Sequence, residues 1–256
     1  MHNAYTARTQ RVHRMVCAVL ACMASVLTQP TAAQSIALPT GCEGWLTLQQ
    51  RSCQVVNYYR CEVDAPGNFW MQVNDSDGLY LTMHIGPEYE WLEVHAPRVG
   101  YSDILEQPEA DPTRITELLS EGVDTREFVT VTNLGNRRTV RGRQWMTGEK
   151  VVVDGVPLLR TSYDTQALFE DGTIAWHSRG AEYVHVGWNM LIAGTEEWRA
   201  GDGDWQHRNL EPMEFIFPGE AGFLSGKPRY DCGAVQARAP GETDLRETER
   251  NVVDVF

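Results

Sequence analysis

The amino-acid sequence predicts a mainly β protein, in which a single antiparallel meander rolls into an open or closed barrel. Three observations support this prediction. Short apolar segments with period-two alternation recur along most of the chain, as half-buried strands require. Tight-turn dipeptides such as Asp154-Gly155 and Asp171-Gly172 separate them, and only one segment has a helical pattern. Strands joined in sequence by tight turns form a curved antiparallel sheet, with a two-sheet β-sandwich as the alternative.

The composition of the 256-residue chain excludes several classes of protein. Hydrophobic residues make up 42% and charged residues 22% of the chain, which is typical of a globular domain and not of a disordered or collagen-like chain. The 35 acidic and 22 basic residues give a formal charge of −13. Because an acidic surface does not neutralise phosphates, we expect no nucleic acid partner.

The first 33 residues have the pattern of a secretory signal peptide. Three arginines precede an apolar run over residues 15–27, and Thr31-Ala32-Ala33 supplies the small residues of a cleavage site. The apolar run is shorter than the roughly 20 residues that span a bilayer. We therefore expect cleavage after Ala33, export to the periplasm and no transmembrane segment in the mature chain. A retained N-terminal anchor and lipoprotein processing at Cys22 are the alternatives.

Cysteine usage agrees with export. Removal of the signal peptide leaves an even number of cysteines, which predicts two disulfides in one of three connectivities. If residues 52–63 form one strand, Cys53 and Cys61 lie about 26 Å apart and cannot bond. The sequence therefore favours a disulfide that ties Cys232 to the N-terminal region. The four cysteines are Cys42, Cys53, Cys61 and Cys232.

The mature chain is predicted to form one disulfide-bonded β domain over residues 34–238. Residues 239–256, which contain Pro240-Gly241 and many Glu and Arg residues, are expected to be a flexible C-terminal tail. The domain contains no repeat and no low-complexity linker. Its predicted strands are 45–49, 53–63, 68–73, 79–85 and 90–95, and then, after a break, 126–132, 137–145, 150–153, 157–163, 166–169, 173–177, 182–188, 191–199 and 213–217.

One helix is predicted over residues 112–120. Pro112 suits the first helical position, because its fixed φ matches the helix and its missing N–H is not needed there. Asp111 is the expected N-cap, and Gly122 follows the C-terminal end.

The predicted strand over residues 137–145 is one candidate ligand site. Alternation places Arg137, Arg141 and Arg143 on one face together with Trp145, where the guanidinium groups could bind an anion or a lipid headgroup. The competing interpretation is a solvated face whose arginines pair with acidic side chains on neighbouring strands. In so acidic a chain, the solvated face is favoured.

The register of the hairpin around Gly135 decides which residues share the arginine face. If residue 132 pairs with residue 137, the preceding strand contributes three residues to that face, and three valines form the core face. The first set is Arg126, Phe128 and Thr130, and the second is Val129, Val131 and Val140.

Aromatic and histidine residues on the late strands are the second candidate ligand site. Trp176, Tyr183, His185 and Trp188 would be the natural lining of a cavity, if the sheet encloses one. The competing interpretation is that these residues are wall or core residues whose polar atoms are satisfied by neighbours.

A metal site is the alternative interpretation of the same region. His177 could face His185 from an adjacent strand, and Glu182 is the nearest carboxylate that could complete a metal-binding set. Strand alternation points Glu182 to the opposite face from His185, however. We therefore predict no metal and treat a metal-dependent hydrolase as an alternative function.

Motifs for other chemistry are absent from the sequence. Residues 222–226 lack the G-x-S-x-G spacing of a nucleophile elbow, and there is no phosphate loop, dinucleotide fingerprint or H-E-x-x-H. The sequence Asp75-Ser76-Asp77-Gly78 lacks the other ligands of a calcium loop and fits a hairpin turn better. We therefore expect no cofactor.

Short motifs spread over most of the mature chain resemble a protein family. They are Gly44-Trp45, Cys53-Gln54-Val55, Cys61, residues 67–70, Glu90-Trp91-Leu92 and Gly219-Glu220-Ala221-Gly222-Phe223-Leu224-Ser225. In this order they resemble exported proteins of alphaproteobacteria that have no assigned activity. The resemblance implies a periplasmic setting and implies no catalytic activity.

Taken together, the sequence favours an exported protein that binds an apolar or amphipathic ligand, or another envelope protein, without catalysis. A metal-dependent or other hydrolase that uses His177 and His185 is one alternative. A purely structural component of the cell envelope is another.

Overall fold

A computed structural model of the chain describes residues 35–233. The predicted signal peptide, its cleavage site after Ala33 and the predicted tail over residues 239–256 lie outside the described residues. Within that part of the chain, no helix is long and apolar enough to span a membrane.

The described residues form one antiparallel sheet of 13 strands and one α-helix. This confirms the predicted mainly β fold, and the two separate sheets of a sandwich are not observed. The strands are β1 Cys42–Gln50, β2 Gln54–Cys61, β3 Phe69–Asp75, β4 Gly78–Ile85, β5 Trp91–Ala96, β6 Tyr101–Asp111, β7 Val123–Thr132, β8 Arg137–Val153, β9 Val156–Phe169, β10 Ile174–His185, β11 Met190–Ala200, β12 Gln206–Asn209 and β13 Pro212–Ile216; the helix is α1 Ile115–Glu121.

Neighbours in the sheet are neighbours in the chain, with one exception. From β1 to β12 each strand pairs with the next, whereas β13 pairs with β1. The edges of the sheet are therefore β12 and β13, and the sheet is not closed by a ladder between them.

Residues 206–216, which we call the seam segment, border both ends of the sheet. The first half, β12, pairs with β11, and the second half, β13, pairs with β1. Residues 210 and 211, between β12 and β13, bond to the same two ends of the sheet. Leu210 N donates to Gly194 O at 2.7 Å, and Arg51 N donates to Glu211 O at 3.1 Å.

Several predicted strands are longer than their sequence patterns indicate. The predicted breaks inside β8, β9 and β10 do not end these strands. In β8 the pairing with β9 shifts between Met146 and Lys150, and in β10 the pairing with β11 shifts between Ala181 and Glu182. A β-bulge interrupts the alternation of side chains while the strand continues, so the sequence pattern breaks where the strand does not.

Strands β6 and β12 were not predicted. β6 contains Pro108, and its pairing with β7 shifts between Glu106 and Asp111. A proline cannot donate to the ladder and is tolerated at such a bulge, which explains why the segment lacks a regular strand pattern. All four residues of β12 are exposed, so it has no apolar alternation.

Both disulfides agree with the predicted pairing of Cys232 with the N-terminal region. Cys42 bonds to Cys61, and the two residues are register partners in the β1–β2 hairpin. Cys53, in the turn of that hairpin, bonds to Cys232.

The helix begins later than predicted. Asp111 belongs to β6, where its carboxylate accepts a hydrogen bond from the Thr125 hydroxyl at 2.8 Å, so it is not the N-cap. The N-cap is Arg114, which makes no side-chain capping bond. Gly122 ends the helix in the left-handed conformation with φ 81°, as predicted.

The apolar core occupies the end of the sheet that α1 covers. Ile115 and Leu118 of α1 are each 1% exposed and pack against inner side chains of the sheet. Other members of this core cluster are Leu46, Leu48, Tyr58, Phe69, Ile85, Leu158, Val184, Met190 and Ile192.

The register between β7 and β8 differs from the prediction by one residue. Val131, and not residue 132, pairs with Arg137. A slip of one residue exchanges the two faces of a strand. As a result, three residues predicted to lie on the exposed arginine face are buried on the inner face. Val129 and Val131, which were predicted to form the core face, are half-buried on the outer face. The three are Arg126, Phe128 and Thr130.

Candidate functional site

The inner face of the sheet borders a cavity of about 240 Å³. Strands β4 to β12 line it. Apolar side chains supply one part of its wall: Leu81, Met83, Trp91, Val94, Val140, Trp176 and Trp198. Polar and charged side chains supply another part: Asp103, Arg126, Thr130, Tyr163, Thr165, Ser178, Glu182, Glu196 and Arg208.

Arg126, on the inner face of β7, is 5% exposed. Its Nη2 donates a hydrogen bond to Gln144 Oε1 at 2.8 Å, and its buried Nε–H has no hydrogen-bond partner. No salt bridge joins Arg126 to a carboxylate within residues 35–233. Burial lowers the pKa of Arg126, but an arginine keeps its charge at physiological pH. A positive charge is therefore held at the cavity wall without a direct counter-ion.

Gln144 of β8 connects Arg126 to the carboxylate of Glu182 on β10. Gln144 is 1% exposed, and its Nε2 donates to Glu182 Oε2 at 2.8 Å and to Thr161 Oγ1 at 2.9 Å. Burial raises the pKa of Glu182 to about 7, against the opposing effects of Arg126 and the Gln144 hydrogen bond. The two charged groups therefore interact across an amide and not through an ion pair.

A second polar chain crosses from β9 to the seam segment. The Ser178 hydroxyl donates to Glu196 Oε1 at 2.9 Å and lies 2.9 Å from the Tyr163 hydroxyl. The other oxygen of Glu196 pairs with Arg208 at 2.6 Å. Each of these groups has a partner within the protein, so this series of hydrogen-bonded side chains is a structural part of the cavity wall.

A buried ion pair forms a third polar contact. Arg138, the inner-face neighbour of Val140 on β8, is 2% exposed and donates to Asp103 Oδ2 at 2.6 Å and to the Tyr101 hydroxyl. Burial raises the pKa of Asp103, and the positive charge of Arg138 opposes this shift. Unlike Arg126, Arg138 has a carboxylate of the protein as its partner.

The aromatic residues of the predicted ligand site are divided between the cavity and the core. Trp176 lines the cavity. The Tyr183 hydroxyl donates to Glu211 Oε2 at 2.6 Å, and Tyr183 packs in the apolar core. The rings of His185 and Trp188 stack with centroids 3.6 Å apart, and His185 Nδ1 accepts a hydrogen bond from Trp188 N. The last three residues lie outside the cavity.

The predicted arginine cluster lies on the outer face of β8, as alternation requires. Arg141 pairs with Glu127 at 3.0 Å, and Arg137 pairs with Glu106. The guanidinium carbon of Arg143 lies 4.8 Å from the ring centre of Trp145. The arrangement fits the solvated-face interpretation, because the guanidinium groups are paired or stacked on the surface.

The two histidines of the alternative metal site do not meet. The prediction that His177 and His185 lie on adjacent strands is wrong, since both belong to β10, eight residues apart. That spacing corresponds to about 26 Å along a strand. His177 pairs with Asp164 at 2.9 Å. Across the described part of the chain, no group of three or more His, Cys, Asp or Glu side chains could hold a metal ion.

Arg126 was not predicted to line a cavity, Gln144 was not predicted to connect it to Glu182, and Glu182 was considered only for a metal site. Residues 123–132 gave no clear signal, because four polar residues stand in succession at 124–127 and Phe128 is adjacent to Val129. Val129 and Val131 were assigned to the core because the assumed pairing of residue 132 with residue 137 placed them opposite the arginine face. No protein-family model, curated protein or solved structure matches the chain, so no relative supplies a ligand or an activity for the cavity.

Proposed function

We propose that the protein is exported to the periplasm and binds a small amphipathic molecule in the cavity, without catalysis. One observation carries the proposal: the cavity combines an apolar wall with a few buried polar groups that are not fully hydrogen-bonded. Ligand pockets have this composition, in which apolar area supplies affinity and a few polar groups fix orientation.

Three indole rings belong to the apolar wall of the cavity. The rings of Trp91 and Trp176 lie 6.4 Å apart at an angle of 33°, and Trp198 also lines the cavity. Burial of apolar area is favourable by about 25 cal/mol per Å². Pockets for drug-sized ligands measure about 300–1,000 Å³, so a volume of about 240 Å³ indicates a smaller ligand.

The proposal includes a barrel as the functional form of the sheet. The seam segment supports it, because one continuous stretch of chain hydrogen-bonds to β11 at its start and to β1 at its end. Closure of a sheet around its inner face would keep the cavity apart from bulk water.

Export is supported by the two disulfides, which persist in oxidising compartments. The signal peptide and the resemblance to exported alphaproteobacterial proteins remain predictions from the sequence. No observation favours the alternatives of a hydrolase or a purely structural envelope component.

Native mass spectrometry of the protein purified from its own periplasm tests the binding function. We expect an organic mass bound to the folded chain. The variant Val94→Trp would fill the cavity and should lose that mass, whereas Val152→Trp, at a position 70% exposed, should retain it. A wild-type protein without bound mass, or a mass that Val94→Trp retains, would overturn the proposal.

A further inference from the structure

We infer that the ligand of the cavity carries a carboxylate, and that Arg126 binds it through N–H donors that the fold leaves unpaired. The inference rests on the proposed binding function and names the chemical class of the ligand. The rest of the ligand is a short aliphatic chain or a single ring, which the indoles of the cavity would contact.

Arg126 is a buried charge whose donors are not all paired. A charged group that is 5% exposed is normally paired, because an isolated charge loses several kcal/mol of hydration. Arg126 makes one side-chain hydrogen bond, to a neutral amide, and its Nε–H has no partner. A guanidinium group presents its donors in a planar fork that matches the two oxygens of a carboxylate.

Arg138, on the same inner face of the sheet, differs from Arg126 in its partner. Arg138 is also buried, and Asp103 of the protein is its partner at 2.6 Å. Among residues 35–233, one of the two buried inner-face arginines therefore has a carboxylate of the protein as its partner. The nearest equivalent for Arg126 would be Glu182, which Gln144 holds apart from it by donating to the Glu182 carboxylate.

A second unpaired donor, the hydroxyl of Thr165, lines the same cavity. In register across the sheet, Arg126 pairs with Gly142, and Gly142 pairs with Thr165. A side chain at residue 142 would overlap the Thr165 hydroxyl, so this hydroxyl occupies the space above the glycine. Thr165 is 2% exposed, lines the cavity, and its hydroxyl has no hydrogen-bond partner. A carboxylate beside Arg126 would supply acceptors for both groups.

The titratable groups that face Arg126 also permit an added anion. They are Glu182 of β10, Asp124 of β7, Tyr163 of β9, and Tyr89 of the loop between β4 and β5. Burial raises the pKa of Glu182 to about 7 and that of Asp124 to about 6. Protonation of these two groups below neutral pH removes the repulsion that a ligand carboxylate would meet. Affinity should therefore increase from pH 8 to pH 6.

Calorimetric titration with three probes of equal chain length tests the inference: octanoate, 1-octanol and octylammonium. We expect octanoate to bind most tightly, and more tightly at pH 6 than at pH 8. Arg126→Gln should weaken octanoate by roughly tenfold or more, as expected for loss of a charged hydrogen bond, and leave 1-octanol unchanged. Arg141→Gln, on the outer face of β8, is the matched control and should bind as wild type.

The stability of the ligand-free variant gives a second readout. Removal of an unpaired buried charge should leave Arg126→Gln as stable as the wild type or more stable, which a purely structural arginine would not allow. If this variant fails to fold, Thr165→Val removes the hydroxyl alone and should weaken octanoate several-fold.

The outcomes separate this inference from the proposed function. Equal binding of octanoate and 1-octanol, with no effect of Arg126→Gln, would overturn the carboxylate and leave the cavity as a binding site. Tighter binding of octylammonium would overturn it in favour of a cationic ligand. If none of the three probes binds, the carboxylate inference is overturned. The native mass measurement then determines separately whether the cavity binds a ligand.

Discussion

Arg137 and Arg138 are adjacent in β8 and face opposite sides of the sheet. Arg138 is 2% exposed and paired with Asp103, whereas the side chain of Arg137 is 46% exposed and paired with Glu106. Loss of one partner from a buried pair leaves an uncompensated charge. We expect Arg138→Gln to lower the free energy of unfolding by about 3–5 kcal/mol, and Arg137→Gln to lower it by less than about 1 kcal/mol. Urea denaturation measures both, and similar losses would contradict the assigned faces.

Glu182 should make stability depend on pH. Burial raises its pKa to about 7 in the folded protein from a usual value of 4.5. Between these pH values the folded state keeps a proton that the unfolded state has released, so stability falls as pH rises. Relative to Glu182→Gln, the wild type should lose at most about 3 kcal/mol of stability between pH 4 and pH 8. Thermal melts over this pH range measure the difference.

Asp171 provides a control of opposite sign. The hydroxyl and N–H of Thr173 bond to the Asp171 carboxylate and lower its pKa. Stability from this group is present above its unfolded pKa and is lost as pH falls through the folded value. Asp171→Asn should therefore be less stable than the wild type at neutral pH and match it at strongly acidic pH, and parallel pH profiles for the Asp171 and Glu182 variants would contradict both assignments.

At the residue scale, the outer face was predictable and the inner face was not. The outward positions of Arg137, Arg141 and Arg143 follow from alternation alone, which holds whatever the strand pairs with. The inward position of Arg126 depends on the β7–β8 register, and a shift of one residue reverses it. A sequence cannot report such a shift when charged residues occupy the inner face and valines the outer one.

The end of α1 depends on one backbone conformation. Gly122 has φ 81°, and its N–H donates to Leu118 O at 3.0 Å. A residue with a Cβ costs about 1–2 kcal/mol in this left-handed region, and asparagine costs less than alanine. We therefore expect Gly122→Ala to reduce stability by about 1 kcal/mol and Gly122→Asn to reduce it less. Chemical denaturation of both variants checks the order, and an unchanged alanine variant would contradict it.

At the element scale, short hairpins were predictable because their turns carry their own chemistry. Asp154 and Gly155 have φ 49° and 79°, as the predicted type I′ turn requires. The length of β8 was not predictable, since its bulge between Met146 and Lys150 is maintained by pairing with β9. The start of α1 was missed for a similar reason, because Asp111 pairs within the sheet instead of capping the helix.

At the scale of the whole molecule, the two disulfides should contribute unequally. Cys42–Cys61 closes a sequence separation of 19 residues and Cys53–Cys232 one of 179. In the chain-entropy model, stabilisation grows with loop length, to about 3 kcal/mol for the short loop and about 5 kcal/mol for the long one. We expect Cys53→Ser with Cys232→Ser to lower the melting temperature more than Cys42→Ser with Cys61→Ser. The reverse order would show that native-state effects exceed the entropy of the unfolded chain.

The pairing of β1 with β13 also determines the order in which the protein can assemble. A chain made from its N-terminus can add β2 to β12 one after another, since each pairs with the strand before it. The other edge of β1 is paired only after β13, the last strand described, has been made. The Cys53–Cys232 bond also forms only at that stage. Until then, β1 has unpaired N–H and C=O groups that can pair with a strand of another molecule, and such pairing leads to edge-to-edge aggregation. Chains cut short before residue 212 would therefore leave this edge of β1 unpaired and should aggregate more readily than the full chain.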